Sequence, residues 1–145
     1  MTDKLSNGLP ARVILETTII QEGEVFKHSF DEMGRIVQLN GNYYIRYTES
    51  KEDEEVATMI KIGEDGVVSL TRHGDSKTRL VFDNNEETLT TYPTPQGVLQ
   101  LAVKTDRLSI STTEQPFAGE VEVDYMIHMA DAPLGTYKIR LIFTT

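Results

Sequence analysis

Two oppositely charged side chains, Glu49 and Arg72, fall on the predicted interior face of two β-strands and are the best candidates for a functional site. In the first strand Tyr43 and Tyr47 mark the apolar face, and Glu49 continues the same alternation. In the second, Arg72 continues the alternation that includes Leu70. Strand side chains alternate between faces, so both charges are predicted to point inward. If every link is a hairpin, the two strands end at the same rim about 10 Å apart, and the side chains can meet.

Two interpretations of this pair are open. In the functional one, Glu49 orients Arg72 as an anchor for the carboxylate or phosphate head of a small ligand. In the structural one, the two residues form an internal ion pair that closes one end of a barrel, because inward charges are usually paired. In the first case, the apolar part of the ligand would lie among five residues. These are Tyr43, Ile45, Val68, Leu70 and Tyr125.

Short strands and tight turns must position these residues. Hairpin turns are indicated at Glu22-Gly23 and Asn40-Gly41, where the residue types tolerate positive φ. Asp31-Glu32-Met33-Gly34 is predicted as a single helical turn or a longer loop. The strand candidates are 11–21, 24–30, 35–39, 42–49, 56–62, 67–73, 77–82, 87–92, 97–104, 107–113, 119–129 and 136–143. Parallel crossovers need longer links, so we predict an all-β fold, an antiparallel up-and-down meander forming a closed or nearly closed calycin-like β-barrel.

The last two predicted strands carry opposite charges on their wet faces. Acidic side chains alternate along 119–129, and Lys138 and Arg140 alternate along 136–143. Pairing of these strands as a hairpin through residues 131–135 would place acids opposite bases, which favours the pairing modestly.

Composition limits the class of protein. The chain has 145 residues, which fits a single β-barrel domain over 1–145, with 1–10 predicted as an N-terminal tail or plug. It has no cysteine, which excludes disulfides and thiolate chemistry. The formal net charge of −9 disfavours nucleic acid and anionic membranes as partners. No secretory signal or membrane-length apolar run is visible, so we expect no membrane insertion and a cytoplasmic location.

Catalytic and metal-binding motifs are not apparent. The sequence has no nucleophile elbow, phosphate-binding glycine loop or dinucleotide fingerprint. Its three histidines, His28, His73 and His128, lack the spacing of a metal site. We therefore predict no catalytic residue, no cofactor and no metal, and an enzyme is the least supported class.

Several segments resemble the YwiB-like family of bacterial proteins. They are Tyr92-Pro93-Thr94-Pro95-Gln96-Gly97-Val98-Leu99, Val103-Lys104-Thr105, Gly119-Glu120-Val121-Glu122-Val123-Asp124-Tyr125, Tyr47-Thr48-Glu49 and Arg72-His73-Gly74. The resemblance implies a small calycin-like (lipocalin-like) barrel of uncharacterised activity. This chain departs from the family pattern at Pro93 and Gln96, and the two prolines there predict a rigid corner or edge bulge.

Two functional hypotheses follow. The first is a binding module that takes a small, partly apolar amphiphile into the barrel, with an acidic head group as one option and with Arg72, Glu49, Tyr43, Tyr92 and Tyr125 as candidate binding residues. The second is an interaction protein with a filled barrel that acts through an edge strand or a homodimer face. The interior volume distinguishes them, because large inward side chains can fill a small barrel. The candidates for this filling are Phe26, Phe30, Tyr43, Tyr47, Phe82, Tyr125, Tyr137 and Phe143.

Overall fold

A single antiparallel meander accounts for the fold. The computed structural model describes residues 8–114 and 117–145, which contain ten strands and no helix. Of the predicted tail, residues 1–7 lie outside the described residues, while Leu9 and Pro10 are the first residues of β1. The strands are β1 (Leu9–Gln21), β2 (Glu24–Leu39), β3 (Asn42–Lys51), β4 (Glu54–Ile62), β5 (Val68–His73), β6 (Lys77–Phe82), β7 (Thr88–Thr94), β8 (Gly97–Glu114), β9 (Phe117–Met129) and β10 (Ala132–Thr144).

The strands curl into a nearly closed barrel, which confirms the predicted fold class. The hydrogen-bonded order is β6-β5-β4-β3-β2-β1-β10-β9-β8-β7, so β1 pairs with β10 and the two terminal strands face each other. Threonine side chains bridge this seam. The hydroxyl of Thr88 donates to the Val81 carbonyl at 2.6 Å, and that of Thr90 donates to the Arg79 carbonyl at 2.5 Å. Side-chain hydrogen bonds therefore join β6 to β7, whereas backbone hydrogen bonds join the other neighbouring strands.

Turn chemistry and charge pairing follow the sequence predictions. Glu22 and Gly23 both have positive φ, and so do Asn40 and Gly41, as hairpins of this type require. In the predicted β9–β10 hairpin, Lys138 lies opposite Asp124. The β9–β10 turn is tighter than predicted, because β10 already begins at Ala132.

The prediction of a helical turn or loop at Asp31–Gly34 is wrong. These residues continue β2 and pair with Ile14 through Ala11 of β1, so the two strands predicted there are one. The apparent break at 105–106 is likewise internal to β8, where the register shifts between Thr105 and Arg107. In both places pairing with a neighbouring strand overrides the local turn-forming residues.

Strands β2 and β3 separate in their upper halves, where "upper" denotes the end at which β3 and β5 finish. They pair only from Arg35 opposite Arg46 down to Leu39 opposite Asn42. Above this point β2 remains paired with β1, and β3 remains paired with β4. At the branch point, a Cβ on Gly34 would lie 2.2 Å from the Arg46 carbonyl oxygen. Glycine at this position is therefore required by the close approach of two backbones.

We expect Gly34→Ala to lower the free energy of unfolding by roughly 2 kcal/mol, because the added methyl group can be accommodated only by moving the β3 backbone. Chemical denaturation measures the effect. Gly74→Ala is the comparison, because Gly74 does not have a positive φ and its added Cβ would approach only side-chain atoms, at 3.1 Å or more. A Gly34→Ala variant as stable as the parent would contradict the close approach.

The interior of the barrel is filled with apolar side chains. The Phe82 side chain is buried in the interior, and its ring centroid is 4.6 Å from that of Tyr125. The Tyr125 ring in turn stacks on Tyr137, with 5.1 Å between centroids. At the lower end, Phe117 contacts Tyr43 and Phe143 at 5.2 and 5.7 Å between centroids. A pocket among the central apolar side chains, which is lined by Phe82, Leu70 and Val123 among others, has a volume of only about 10 Å³. That is about the least room that one water molecule needs.

Candidate functional site

Glu49 and Arg72 form a two-point ion pair at the upper end of the interior, as the alternation of their strands predicted. Arg72 Nε donates to Glu49 Oε1 at 2.8 Å, and Nη2 donates to Oε2 at 3.2 Å. The Glu49 side chain is 5% exposed and that of Arg72 is 31% exposed. A guanidinium that meets a carboxylate in this forked geometry makes one of the stronger polar contacts available to a protein.

Tyr47 completes the carboxylate's hydrogen bonds. Its hydroxyl donates to Glu49 Oε2 at 2.6 Å. Tyr47, Thr58 and Arg72 are direct cross-strand neighbours on β3, β4 and β5. Arg72 therefore reaches Glu49 across the intervening strand β4, where the small, buried Thr58 leaves room.

The surroundings favour the neutral form of the tyrosines and the charged form of the arginine. Burial raises the pKa of the Tyr47 phenol, and its hydrogen bond to Glu49 adds to this increase. Burial also raises the pKa of Tyr125, with the nearby Arg72 acting in the opposite direction. For Arg72, burial acts to lower the pKa, but the hydrogen bonds and charge of Glu49 outweigh it, so that its pKa is raised.

These shifts predict a loss of stability in alkali. Tyr47 and Tyr125 have raised pKa values in the folded state, so their contribution is complete below the unfolded-state value of 10.0 and decreases as the pH rises above it. We expect ionisation of these two phenols to coincide with unfolding. Tyrosinate absorbance and circular dichroism, followed together during an alkaline titration, measure this. In Tyr47→Phe, the part of the absorbance change that accompanies unfolding should be smaller, and an unchanged amplitude would contradict the assignment.

The structure brings together only part of the predicted binding set. Tyr125 is 2% exposed and is electrostatically coupled to Arg72, so it belongs with the ion pair. Tyr43 lies at the opposite end of β3, against Phe117. Tyr92 is 50% exposed on β7, near the upper turn of the β7–β8 hairpin, and contributes to the rim.

Two further residues near this site were not predicted from the sequence. Glu32 shares the inward face of β2 with Ile36 and influences the ionisation of Tyr47. Because the sequence predicts a turn or loop at Asp31–Gly34, it does not place Glu32 on the same strand face as Phe30. Thr105 is 9% exposed and its hydroxyl has no hydrogen-bond partner in residues 8–114 and 117–145. It lies opposite Tyr125, and no sequence signal marks it.

Comparison with known proteins gives a family without an assigned activity. A domain of unknown function, DUF1934, matches residues 13–141. The chain belongs to this family. Its fold is similar to that of the YwiB protein from Bacillus subtilis, known from a crystal structure, with a TM-score of 0.81 and 19% sequence identity over 99% of this chain and 96% of that one. The two findings confirm the resemblance noted in the sequence.

The comparisons do not indicate a reaction, a ligand or a partner for this chain. No curated protein matches the chain, and at 19% identity the similarity to YwiB concerns the fold alone. In the described part of this DUF1934 chain, no group of three or more histidine, aspartate or glutamate side chains is arranged to hold a metal ion. No helix among the same residues is long and apolar enough to cross a membrane.

Proposed function

We propose that this DUF1934 protein is an interaction module whose filled barrel is a rigid scaffold and whose outer surface binds its partner. The carrying observation is that the pocket among the central apolar side chains around Phe82, Leu70 and Val123 holds only about 10 Å³. Ligand cavities ordinarily measure several hundred cubic ångströms. The Glu49–Arg72 pair, which satisfies its own charges, fits a role in closing the upper end.

The strand edges are less suited than the outer faces to binding a partner. The terminal strands β6 and β7 lie against each other, and two carbonyls of β6 already accept threonine hydroxyls. An added strand would have to break these contacts. A face of the sheet needs no such change, so the proposal places the interaction on an outer face.

Native mass spectrometry of the protein purified from its own host, beside a denatured control, tests the scaffold. We expect the mass of the chain alone, of a homodimer or of a complex with a protein partner, with no small molecule bound. A stoichiometric small-molecule adduct that denaturation releases would overturn the filled scaffold. We also propose, from the sequence, that the protein is bacterial and cytoplasmic. Cell fractionation tests the cytoplasmic location.

A second candidate is an anchor for a small amphiphilic acid at the upper rim, outside the filled centre. Two observations favour it. The pairing with Glu49 occupies two of the five N–H groups of Arg72, and within residues 8–114 and 117–145 the others have no hydrogen-bond partner. The unpartnered hydroxyl of Thr105 also lies opposite Tyr125, which is coupled to Arg72. Against it, Glu32 adds a second carboxylate near the pair.

Titration with decanoate, followed by calorimetry, tests the anchor. If Arg72 holds the head group, the parent protein binds decanoate and Arg72→Met does not. The matched control is Arg107→Met, which removes the same charge from the outer surface of β8. Absence of binding to the parent, or equal binding by both variants, would leave Arg72 with its structural role alone.

A further inference from the structure

Basic side chains accumulate on the outer face of β2–β6. One cross-strand row of this face consists of Arg35, Arg46, Met59, Thr71 and Arg79, each directly opposite the next. The rows on either side add three more basic residues. We call the following set the basic face: Arg35, Arg46, Lys61, His73, Lys77 and Arg79. These three rows contain no acidic residue; the next row above them pairs Ser50 with Glu55.

Four bases elsewhere on the outer surface are paired with acids, whereas Lys27 and Lys104 have no carboxylate partner within 4.0 Å among the described residues. Arg140 contacts Glu120 at 2.7 Å and Glu16 at 3.8 Å, and Lys138 contacts Asp124 at 3.8 Å. Arg12 and Arg107 also have carboxylate partners. By contrast, within the described ranges no carboxylate lies within 4.0 Å of a charged nitrogen of the basic face. In a chain with a net charge of −9, such a separation of charge favours a negatively charged partner.

The pairing of Arg35 with Arg46 does not serve the stability of the fold. Two like charges directly opposite on neighbouring strands are unfavourable. Arg35 Nη2 donates to the Gly8 carbonyl at 3.0 Å, which partly fixes one of the two side chains. A carboxylate bound between the two guanidiniums would relieve their repulsion, and residues 8–114 and 117–145 supply none within 4.0 Å.

The basic face borders a groove suited to a chain segment. The groove has a volume of about 950 Å³; it opens at the separation of β2 and β3, where the inward Glu32 and Tyr47 line it, and continues over the outer surface to β5. Thr71 forms part of its floor and is 6% exposed, while Met33 and Met59 supply apolar lining. Glu32 and Glu55 line its upper part, so its negative partner would lie lower, over Arg35 and Arg46.

We propose that the basic face binds an extended acidic segment of a protein partner, in which apolar side chains are interspersed among the carboxylates. Four strand spacings separate Arg35 from Arg79, roughly 19 Å, which about six extended residues span. The apolar lining between the cations favours this partner over a phosphodiester chain. The aromatic side chain in these rows, Tyr44, is covered by Lys61 at 5.9 Å and offers no open stacking surface for bases.

This inference rests on the proposed function, since it names the surface and the chemistry of the partner. Fluorescence anisotropy with a labelled octapeptide, Glu-Glu-Leu-Glu-Glu-Leu-Glu-Glu, tests it on the full chain. We expect binding that weakens with salt and a Kd about tenfold higher for R46E/R79E, because two favourable charge contacts become repulsive. The matched control is R107E/K138E, which changes the net charge equally on the opposite face and should bind as the parent does.

Folding of the variants is checked by thermal unfolding. R46E places a carboxylate opposite Arg35, so we expect R46E/R79E to unfold at a temperature no lower than the parent. No binding of the peptide by the parent, or equal binding by R46E/R79E, would overturn the inference. Tighter binding of oligo-dT or of phosphatidylglycerol vesicles than of the peptide would also overturn it. None of these results depends on the mass of the native protein, which tests the filled scaffold separately.

Discussion

Replacing Phe82 by alanine is expected to lower the free energy of unfolding by about 3–5 kcal/mol, the usual cost of truncating a fully buried phenylalanine. Phe82 is 1% exposed and contacts Tyr125 at the centre of the barrel. The pocket that Phe82 lines with Leu70 and Val123 holds only about 10 Å³, so Phe82→Ala creates a new cavity next to closely packed side chains. Because the free energy of unfolding of a domain is only about 5–15 kcal/mol, this substitution removes a large fraction of it. Chemical denaturation gives the value.

Phe82→Leu provides the control for this prediction. It keeps most of the apolar volume, so we expect a loss of less than about 2 kcal/mol. Xenon or benzene should stabilise Phe82→Ala but not the parent, because only the variant has an apolar cavity large enough to hold them. If the parent already binds benzene, or if Phe82→Ala is as stable as Phe82→Leu, the interior is not filled as described.

Replacing Arg72 by methionine is expected to cost about 3 kcal/mol of unfolding free energy, since breaking a buried ion pair by removing one partner typically costs about 3–5 kcal/mol. The change leaves the Glu49 carboxylate, which is 5% exposed, without its cation. We expect the lower end of that range because Arg72 is 31% exposed and water can reach the vacated end. Thermal and denaturant unfolding both measure the change.

A double-mutant cycle separates the pair from general effects of substitution. In E49Q/R72M both charges are gone, while the side-chain amide carbonyl introduced by E49Q can still accept the Tyr47 hydroxyl. We expect this variant to be more stable than R72M alone, since the isolated buried charge has been removed. Additive losses from the two single changes would show that Glu49 and Arg72 do not interact in solution.

The two predictions concern different parts of the proposed scaffold. Phe82 fills the centre, and Arg72 closes the upper end with Glu49. Neither residue belongs to the basic face, so a stable barrel and binding of an acidic segment can be altered independently. Variants of Arg46 and Arg79 are expected to change binding without the loss of stability that changes at Phe82 and Arg72 produce.

Alternation along single strands was enough to predict the barrel and the central contact of the site. Glu49 continues the face of Tyr47, and Arg72 that of Leu70, so two inward charges at the same rim followed from strand direction alone. The positive φ at Asn40 and Gly41 followed from residue type. These features depend on near neighbours in the chain, which is the information that a single sequence carries.

Other features depended on which strands lie side by side. Residues Asp31–Gly34 resemble a turn locally, yet pairing with β1 makes them strand and turns Glu32 inward. The basic face exists because register places Arg35, Arg46 and Arg79 in one row, although they are far apart in sequence. Sequence therefore determined most of the strands, the inward positions of Glu49 and Arg72, and the tight turns. Tertiary structure decided the closure, the filled interior and the clustering of charge, because these arise from contacts between distant segments that no local pattern encodes.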